Sequence, residues 1–161
     1  GFSQDPTVLV RAFVIDRTLF VDHEAYGIGI DIDKTPELFD RVPESRKWPI
    51  FADSARPETV SYMKRAGFNI SSAPKWSGSV EDGIAFLRSF ERIVIHERCK
   101  HAAEEARLYK YKVDTRTGEV LPVIVDAHNH VIDALRYAIS KLVRNPRRPM
   151  SINSFSGEVM Q

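Results

Sequence analysis

Two neighbouring segments near the start of the chain most restrict the folds that it can adopt. Residues 6–16 read PTVLVRAFVID and residues 18–26 read TLFVDHEAY, and a turn near Arg17 separates them. Both segments are rich in β-branched and aromatic residues, which favour strands, so together they predict an antiparallel hairpin. We therefore expect the rest of the domain to be built onto a sheet.

Short apolar segments alternate with helical patterns beyond this hairpin. Strands are predicted at residues 48–52, 69–73 and 93–95, the last of them buried. Helices are predicted at residues 36–41, 57–66, 84–90, 102–108 and 130–143, and a second hairpin at residues 112–122. Ser79 is predicted to cap its helix through a capping box. Strands followed by alternating strands and helices predict an α/β fold, with a mixed sheet flanked by helices on both faces.

The length and composition of the chain favour one domain. Its 161 residues are 43% hydrophobic, which is enough for one core, and we expect a single domain over residues 1–143. From residue 144 onward Pro, Ser and Asn replace the periodic apolar pattern, so residues 144–161 are interpreted as a C-terminal tail.

The remaining composition bears on compartment and partners. No apolar run approaches the roughly 20 residues that span a bilayer, so no membrane partner is expected. The single cysteine, Cys99, fits a reducing compartment such as the bacterial cytoplasm. Because the formal net charge is only +1, binding to a polyanion would depend on local groups of Lys and Arg.

Three acidic residues occupy positions where structure alone does not require them. Asp5 precedes the hairpin, Asp53 ends a predicted strand, and Asp133 lies in the first turn of the last helix. Mg²⁺ and Mn²⁺ bind carboxylate oxygens, and phosphodiester hydrolysis commonly uses two such ions. The alternative is that these residues form turns or interact favourably with a helix dipole.

The sequence around Asp133 contains further polar candidates. His130 lies nearly one helical turn before Asp133, so both side chains can point into one site. His130 could bind a metal, orient water or carry protons. Asp126 and His128 could support them from outside the metal shell, or could be solvated loop residues.

A second group, His96, Cys99 and His101, does not predict zinc. Its spacing does not match a four-ligand structural site, and the sequence has no second ligand pair.

Basic residues suggest a surface for DNA. Lys75 leads through Trp-Ser-Gly into a helix N-terminus, where backbone amides and a lysine can hold phosphate. Arg56 lies close to Asp53 in sequence, and Lys112 lies beside the second hairpin. A solvated charged face is the alternative. No Gly-rich phosphate loop of the nucleotide-hydrolase type is present in the sequence.

Four segments together resemble the large terminase subunits of tailed bacteriophages. They are GFSQDPT, WPIFADSARPETVSYMKRAGFNI, KWSGSVEDGIAFLRSF and HNHVIDALRYAI. The resemblance implies a ribonuclease H-like, metal-dependent endonuclease that cuts concatemeric double-stranded viral DNA during genome packaging. It also implies an ATPase domain in the same full-length chain, the portal protein and the small terminase subunit as partners, and action in the host cytoplasm and transiently at the procapsid portal.

The resemblance also assigns roles to residues. Asp53 is similar to the family's second metal-binding carboxylate and Asp133 to its last one, with His130 beside it, while Asp5 matches an accessory acidic residue and Lys75 a lysine near the catalytic centre. The family's first catalytic aspartate belongs just before the Gly-Phe that begins this sequence. We therefore expect the chain to be part of a longer domain, whose sheet without that segment lacks its middle strand.

Two other functions remain open from the sequence. Another ribonuclease H-like nuclease, of the junction-resolvase or integrase type, would use the same carboxylates. A docking module for the portal or DNA would carry an idle site.

Overall fold

The antiparallel hairpin that the sequence predicts is present in the sheet. In the computed structural model, which describes residues 5–109, 111–113, 115–124, 129–144 and 158–160, β1 (Thr7–Ile15) pairs antiparallel with β2 (Thr18–Gly27). The turn residues Asp16 and Arg17 both have positive φ, as a type I′ turn requires. A bulge follows Arg11, so that Asp22 is the extra residue on β2.

The other elements follow the alternation expected from the sequence. In chain order they are a 3₁₀ turn (Ile32–Lys34), α1 (Thr35–Phe39), β3 (Ile50–Ala52), α2 (Pro57–Arg65), β4 (Ile70–Ser72), α3 (Ser79–Ser89), β5 (Arg92–Ile95), α4 (Lys100–Leu108), β6 (Tyr111–Val113), β7 (Val120–Ile124), α5 (His130–Arg144) and β8 (Glu158–Met160). Among the described helices, none is both long enough and apolar enough to cross a membrane.

Six strands form the main sheet in the order β4-β3-β8-β1-β2-β5, while β6 and β7 form a separate two-stranded sheet. Strand β8 belongs to the segment that we interpreted as a tail. It pairs antiparallel with β1 and parallel with β3, and so occupies the middle position that the family resemblance left without a strand. Strands β1 and β3 flank β8 and run in opposite directions. The first residues of β1 and the last residues of β3 therefore lie at the same end of the strands.

Apolar residues pack on both faces of this sheet. Side chains alternate along a strand, so Val8 and Val10 pack with α3, α4 and α5, whereas Leu9 packs on the opposite face with α1 and α2. The predicted architecture, a mixed sheet flanked by helices on both faces, is thereby confirmed.

Two local predictions were wrong. Strand β5 was expected to be buried, but Arg92, Ile93 and Val94 are exposed. The reason is that β5 is an edge strand, which among the described residues pairs with β2 alone. Ser79 was expected to cap α3, but it is the first helical residue. The cap residue is Gly78, at a left-handed φ of 82°, and it has no side chain that could cap the helix. Glycine adopts this conformation without steric cost.

Candidate metal and DNA site

A cavity of about 480 Å³ lies at the end of the sheet where β3 ends and β1 begins. The N-terminal turn of α5 forms another part of its wall. The cavity brings together five residues that the sequence singled out: Asp5, Asp53, Arg56, His130 and Asp133. Residues that are far apart in the chain therefore line one cavity. They meet because β1 and β3 run in opposite directions, so that the start of one strand lies beside the end of the other.

Asp53 directly follows β3, at the end of the strand. Its Oδ1 atom accepts a hydrogen bond from the backbone N–H of Ala55 at 3.1 Å and lies 2.6 Å from the Nζ atom of Lys75. Burial by itself would raise the pKa of Asp53. The bonds from Lys75 and Ala55, with the positive charges of Lys75 and Arg136, outweigh burial and hold this pKa below its usual value. Asp53 is therefore an anion near neutral pH.

Asp133 lies in the first turn of α5, and its carboxylate is held by a residue of the same helix. Arg136, which is buried, donates to Oδ1 of Asp133 from Nη2 at 2.6 Å and from Nε at 3.2 Å. Two donors from one planar guanidinium restrict the orientation of the carboxylate. Arg136 therefore holds the Asp133 carboxylate at its Oδ1 atom.

Both carboxylates affect the hydroxyl of Tyr137. Burial and then the negative charges of Asp53 and Asp133 raise the pKa of Tyr137 to about 12, against the smaller opposing effect of Arg136. The Nζ atom of Lys75 lies 5.9 Å from the centre of the tyrosine ring. Because both carboxylates act on this one hydroxyl, they belong to one electrostatic site.

The sequence analysis missed Arg136 and Tyr137. A signal for them was present, since they follow Asp133 by three and four residues and so lie on the same face of the helix. It also missed Glu105 of α4, whose Oε2 atom accepts hydrogen bonds from the backbone N–H groups of Val131 and Ile132. No pattern near Glu105 in the sequence indicates that partner.

The basic residues occupy different positions around the cavity. Arg56 is exposed at the start of α2 and lines the cavity. Lys75 is exposed and paired with Asp53, so its ammonium group lies at the carboxylate rather than at a helix N-terminus. The side chain of Lys112, like Asp126 and His128, lies outside what the structure describes, and the DNA-binding role of Lys112 stays a prediction.

The oxygen donors of the cavity fit an open site for a hard cation. Mg²⁺ is usually bound by one or two carboxylates together with water and substrate phosphates. Asp53 and Asp133 supply such a pair, and Asp5 and His130 face the same cavity. Over the described part of the chain, no three His, Cys, Asp or Glu residues are grouped closely enough to enclose an ion.

The group that we considered for zinc has other partners. His96 accepts a hydrogen bond from Arg98, and His101 lies 2.9 Å from an oxygen of Glu24. Cys99 is fully buried, and burial raises the pKa of its thiol to about 11. A buried, protonated thiol is a poor metal ligand.

The chain resembles known proteins along most of its length. The family model described as "Terminase RNAseH like domain" matches residues 1–141. The large terminase subunit of Bacillus phage SPP1 is 31% identical over 153 residues, which cover 88% of this chain and 34% of that protein. The PBSX phage terminase large subunit of Bacillus subtilis is 26% identical over 141 residues, which cover 86% of this chain and 32% of that protein. The chain thus spans about a third of the length of these curated relatives.

Solved structures resemble the fold as well. The nuclease domain of the SPP1 large terminase, crystallised with bound Mn, matches with a TM-score of 0.77 and 29% identity, covering 88% of this chain and 81% of that one. The large terminase of a thermophilic bacteriophage matches with a TM-score of 0.65 and 18% identity, covering 89% of this chain and 38% of that one. The second likeness supports the fold alone.

Proposed function

Since the chain belongs to the terminase RNase H-like nuclease domain family, we propose that it binds Mg²⁺ or Mn²⁺ and hydrolyses double-stranded viral DNA during genome packaging. One observation carries this proposal: Asp53 and Asp133, distant in sequence, line the same cavity. Support also comes from the SPP1 nuclease domain, which was crystallised with bound Mn.

The side chains of the cavity have separate roles in this proposal. Asp53 and Asp133 hold the cations, with Asp5 as an accessory carboxylate, and two bound ions would neutralise charge on the attacking and leaving oxygens. Arg136 keeps the carboxylate of Asp133 in a fixed orientation. His130, which lines the cavity, would accept a proton from the attacking water.

The basic residues would bind the DNA backbone. Arg56 lines the cavity, and Lys75 lies at its edge on Asp53. Lys75 would exchange Asp53 for a phosphate of the DNA if a cation were bound by that carboxylate. Lys112 would add a contact from the second hairpin. Phosphate contacts position a duplex without reading its sequence, so we expect weak sequence preference.

The larger biological setting extends this proposal beyond the chain. We propose that the substrate is concatemeric DNA, and that the full-length protein also contains an ATPase domain. The portal protein and the small terminase subunit are its proposed partners, and the host cytoplasm, with transient residence at the procapsid portal, is its proposed location.

The test is nicking of supercoiled plasmid DNA by the full-length protein in Mn²⁺. We expect Asp53→Asn and Asp133→Asn to abolish nicking while folding is retained. Asp16→Asn is the matched control, since Asp16 lies in the turn at the far end of β1 from the cavity. Wild-type nicking by either site variant would remove that residue from the mechanism.

Substrate choice separates the proposal from its alternatives. We expect plain duplex to be cut at least as well as branched junctions or RNA–DNA hybrids. A strong preference for junctions would favour a resolvase-type enzyme. Absence of Mn²⁺-dependent nicking, together with portal binding, would favour a docking module.

A further inference from the structure

The N-terminus of α4 is capped by a residue of the sheet. Glu24 of β2 has a side chain that is only 6% exposed. Its two oxygens accept hydrogen bonds, each of 2.9 Å, from the backbone N–H groups of His101 and Ala102. The first N–H groups of a helix have no partner within the helix, and the side chain of Cys99, at the cap position of α4, makes no capping hydrogen bond to them. A carboxylate also interacts favourably with the positive end of the helix dipole.

A ring contact fastens the same end of α4 to the sheet. The imidazole of His101 stacks on Tyr26 of β2, with ring centres 3.8 Å apart and planes within 1° of parallel. The Nδ1 atom of His101 also lies 2.9 Å from Oε1 of Glu24. Helix α4 therefore begins at a position set directly by two residues of one strand.

The N-terminus of α5 is capped in the same way by α4. Glu105, which is 5% exposed, accepts hydrogen bonds at Oε2 from the backbone N–H groups of Val131 (2.6 Å) and Ile132 (3.0 Å). A buried carboxylate is costly unless such partners satisfy it. Any other rotamer would break both hydrogen bonds, so the two bonds stabilise the Glu105 side chain in this position.

The capped turn is the one that carries candidate catalytic residues. Val131 and Ile132 lie between His130 and Asp133, both of which line the cavity. Along the chain, α4 and α5 are separated by residues 109–129, which include the β6–β7 hairpin. Such a long connection does not by itself set the position of α5, whereas Glu105 links the two helices directly.

We propose that Glu105 is a positioning residue for the active site. Glu24 fixes the start of α4 on the sheet, and Glu105 of α4 in turn fixes the first turn of α5, which bears His130 and Asp133. This inference rests on the proposed function, because that function makes His130 and Asp133 active-site residues. Residues that support metal ligands from behind commonly change metal affinity by about 10- to 100-fold when they are replaced. Catalytic groups also need placement to within about half an ångström.

The experiment compares Glu105→Ala, Glu105→Gln and Glu24→Gln in the full-length protein. Glu104→Gln is the matched control, since Glu104 is the exposed neighbour on the same helix. All measurements are made below the unfolding temperature. Hydrogen exchange is followed at the amides of Val131, Ile132, His101 and Ala102. Mn²⁺ affinity is measured by calorimetry, and kcat and KM are measured for DNA nicking.

We expect Glu105→Ala to speed exchange at both amides by at least about tenfold, and to weaken Mn²⁺ binding by about 10-fold or more. It should also lower kcat with little change in the KM for DNA. Glu105→Gln keeps an acceptor oxygen and should restore most of each quantity. Glu24→Gln should speed exchange at His101 and Ala102 and give a smaller change in Mn²⁺ affinity. If Glu105→Ala does not fold, Glu24→Gln carries the test, through exchange at His101 and Ala102 and through Mn²⁺ affinity; wild-type values of both would then overturn the positioning role.

Two outcomes would overturn the positioning role. One is wild-type exchange at Val131 and Ile132 in Glu105→Ala. The other is a lowered unfolding temperature with unchanged Mn²⁺ affinity and kcat, which is what a merely structural cap would produce. Failure of the proposed function looks different, because the wild-type protein itself would then neither bind Mn²⁺ nor nick DNA, while exchange would still report the cap.

Discussion

Replacing Lys75 with methionine removes a cation from the candidate metal site and keeps most of the side-chain volume. The Nζ atom of Lys75 lies 2.6 Å from Oδ1 of Asp53, and the two side chains are 47% and 45% exposed. Water therefore screens this pair, and pairs so exposed contribute about 0.2–1 kcal/mol. A cation that binds Oδ1 of Asp53 would compete with Lys75 for that oxygen. We expect Lys75→Met to lower the Kd for Mn²⁺ by about 1.5- to 5-fold, the range to which those energies correspond.

The same substitution should act in the opposite direction on DNA. If Lys75 contacts a phosphate once it is released, its loss weakens DNA binding and lowers the salt dependence by about one unit of slope. Calorimetry with Mn²⁺ measures the first effect. Fluorescence anisotropy with duplex DNA over a series of salt concentrations, in EDTA to prevent cleavage, measures the second.

A matched substitution separates these effects from a change in overall charge. Lys64 is exposed in the last turn of α2, and Lys64→Met should leave Mn²⁺ affinity unchanged. Weaker Mn²⁺ binding in Lys75→Met would refute the reasoning, because it would mean that Lys75 orients Asp53 for the cation and does not compete with it.

Three further predictions concern stability and reactivity. Burial favours the neutral form of Asp22, but the hydrogen bond and charge of Arg11 outweigh it and lower the pKa of Asp22. Asp22→Asn should lower the free energy of unfolding by about 1–3 kcal/mol at pH 7. In urea titrations this difference should vanish as acid protonates Asp22 below pH 4. Cys99 is fully buried with a thiol pKa of about 11, so mass spectrometry should find it alkylated at pH 8 only in urea; rapid alkylation of the native protein would contradict this. Met63 is fully buried, so Met63→Ala should lower the free energy of unfolding by about 2–5 kcal/mol in urea titrations, and a loss below 1 kcal/mol would contradict the packing.

Local sequence patterns were enough to predict most elements of the fold. The β-branched and aromatic residues of β1 and β2, and the prolines at the starts of α1 and α2, act on neighbouring residues, so they can be interpreted without knowing the rest of the molecule. Asp53 and Asp133 were candidates for a related reason, since each lies at the end of a predicted element. Whether the two face one another could not be decided at that level.

The tertiary structure decided the features that depend on which surfaces meet. Strand β5 is apolar like a buried strand, but its exposure follows from its place at the sheet edge. Glu105 resembles any other glutamate of a charged helix until α5 packs against it. Hydrogen bonds and ion pairs between distant residues require the chain to have folded first, because propensity and periodicity describe only residues that are close in sequence. By itself, then, the sequence determined the elements and the chemistry that they carry, and the packing of α4 and α5 on the sheet determined how that chemistry is assembled.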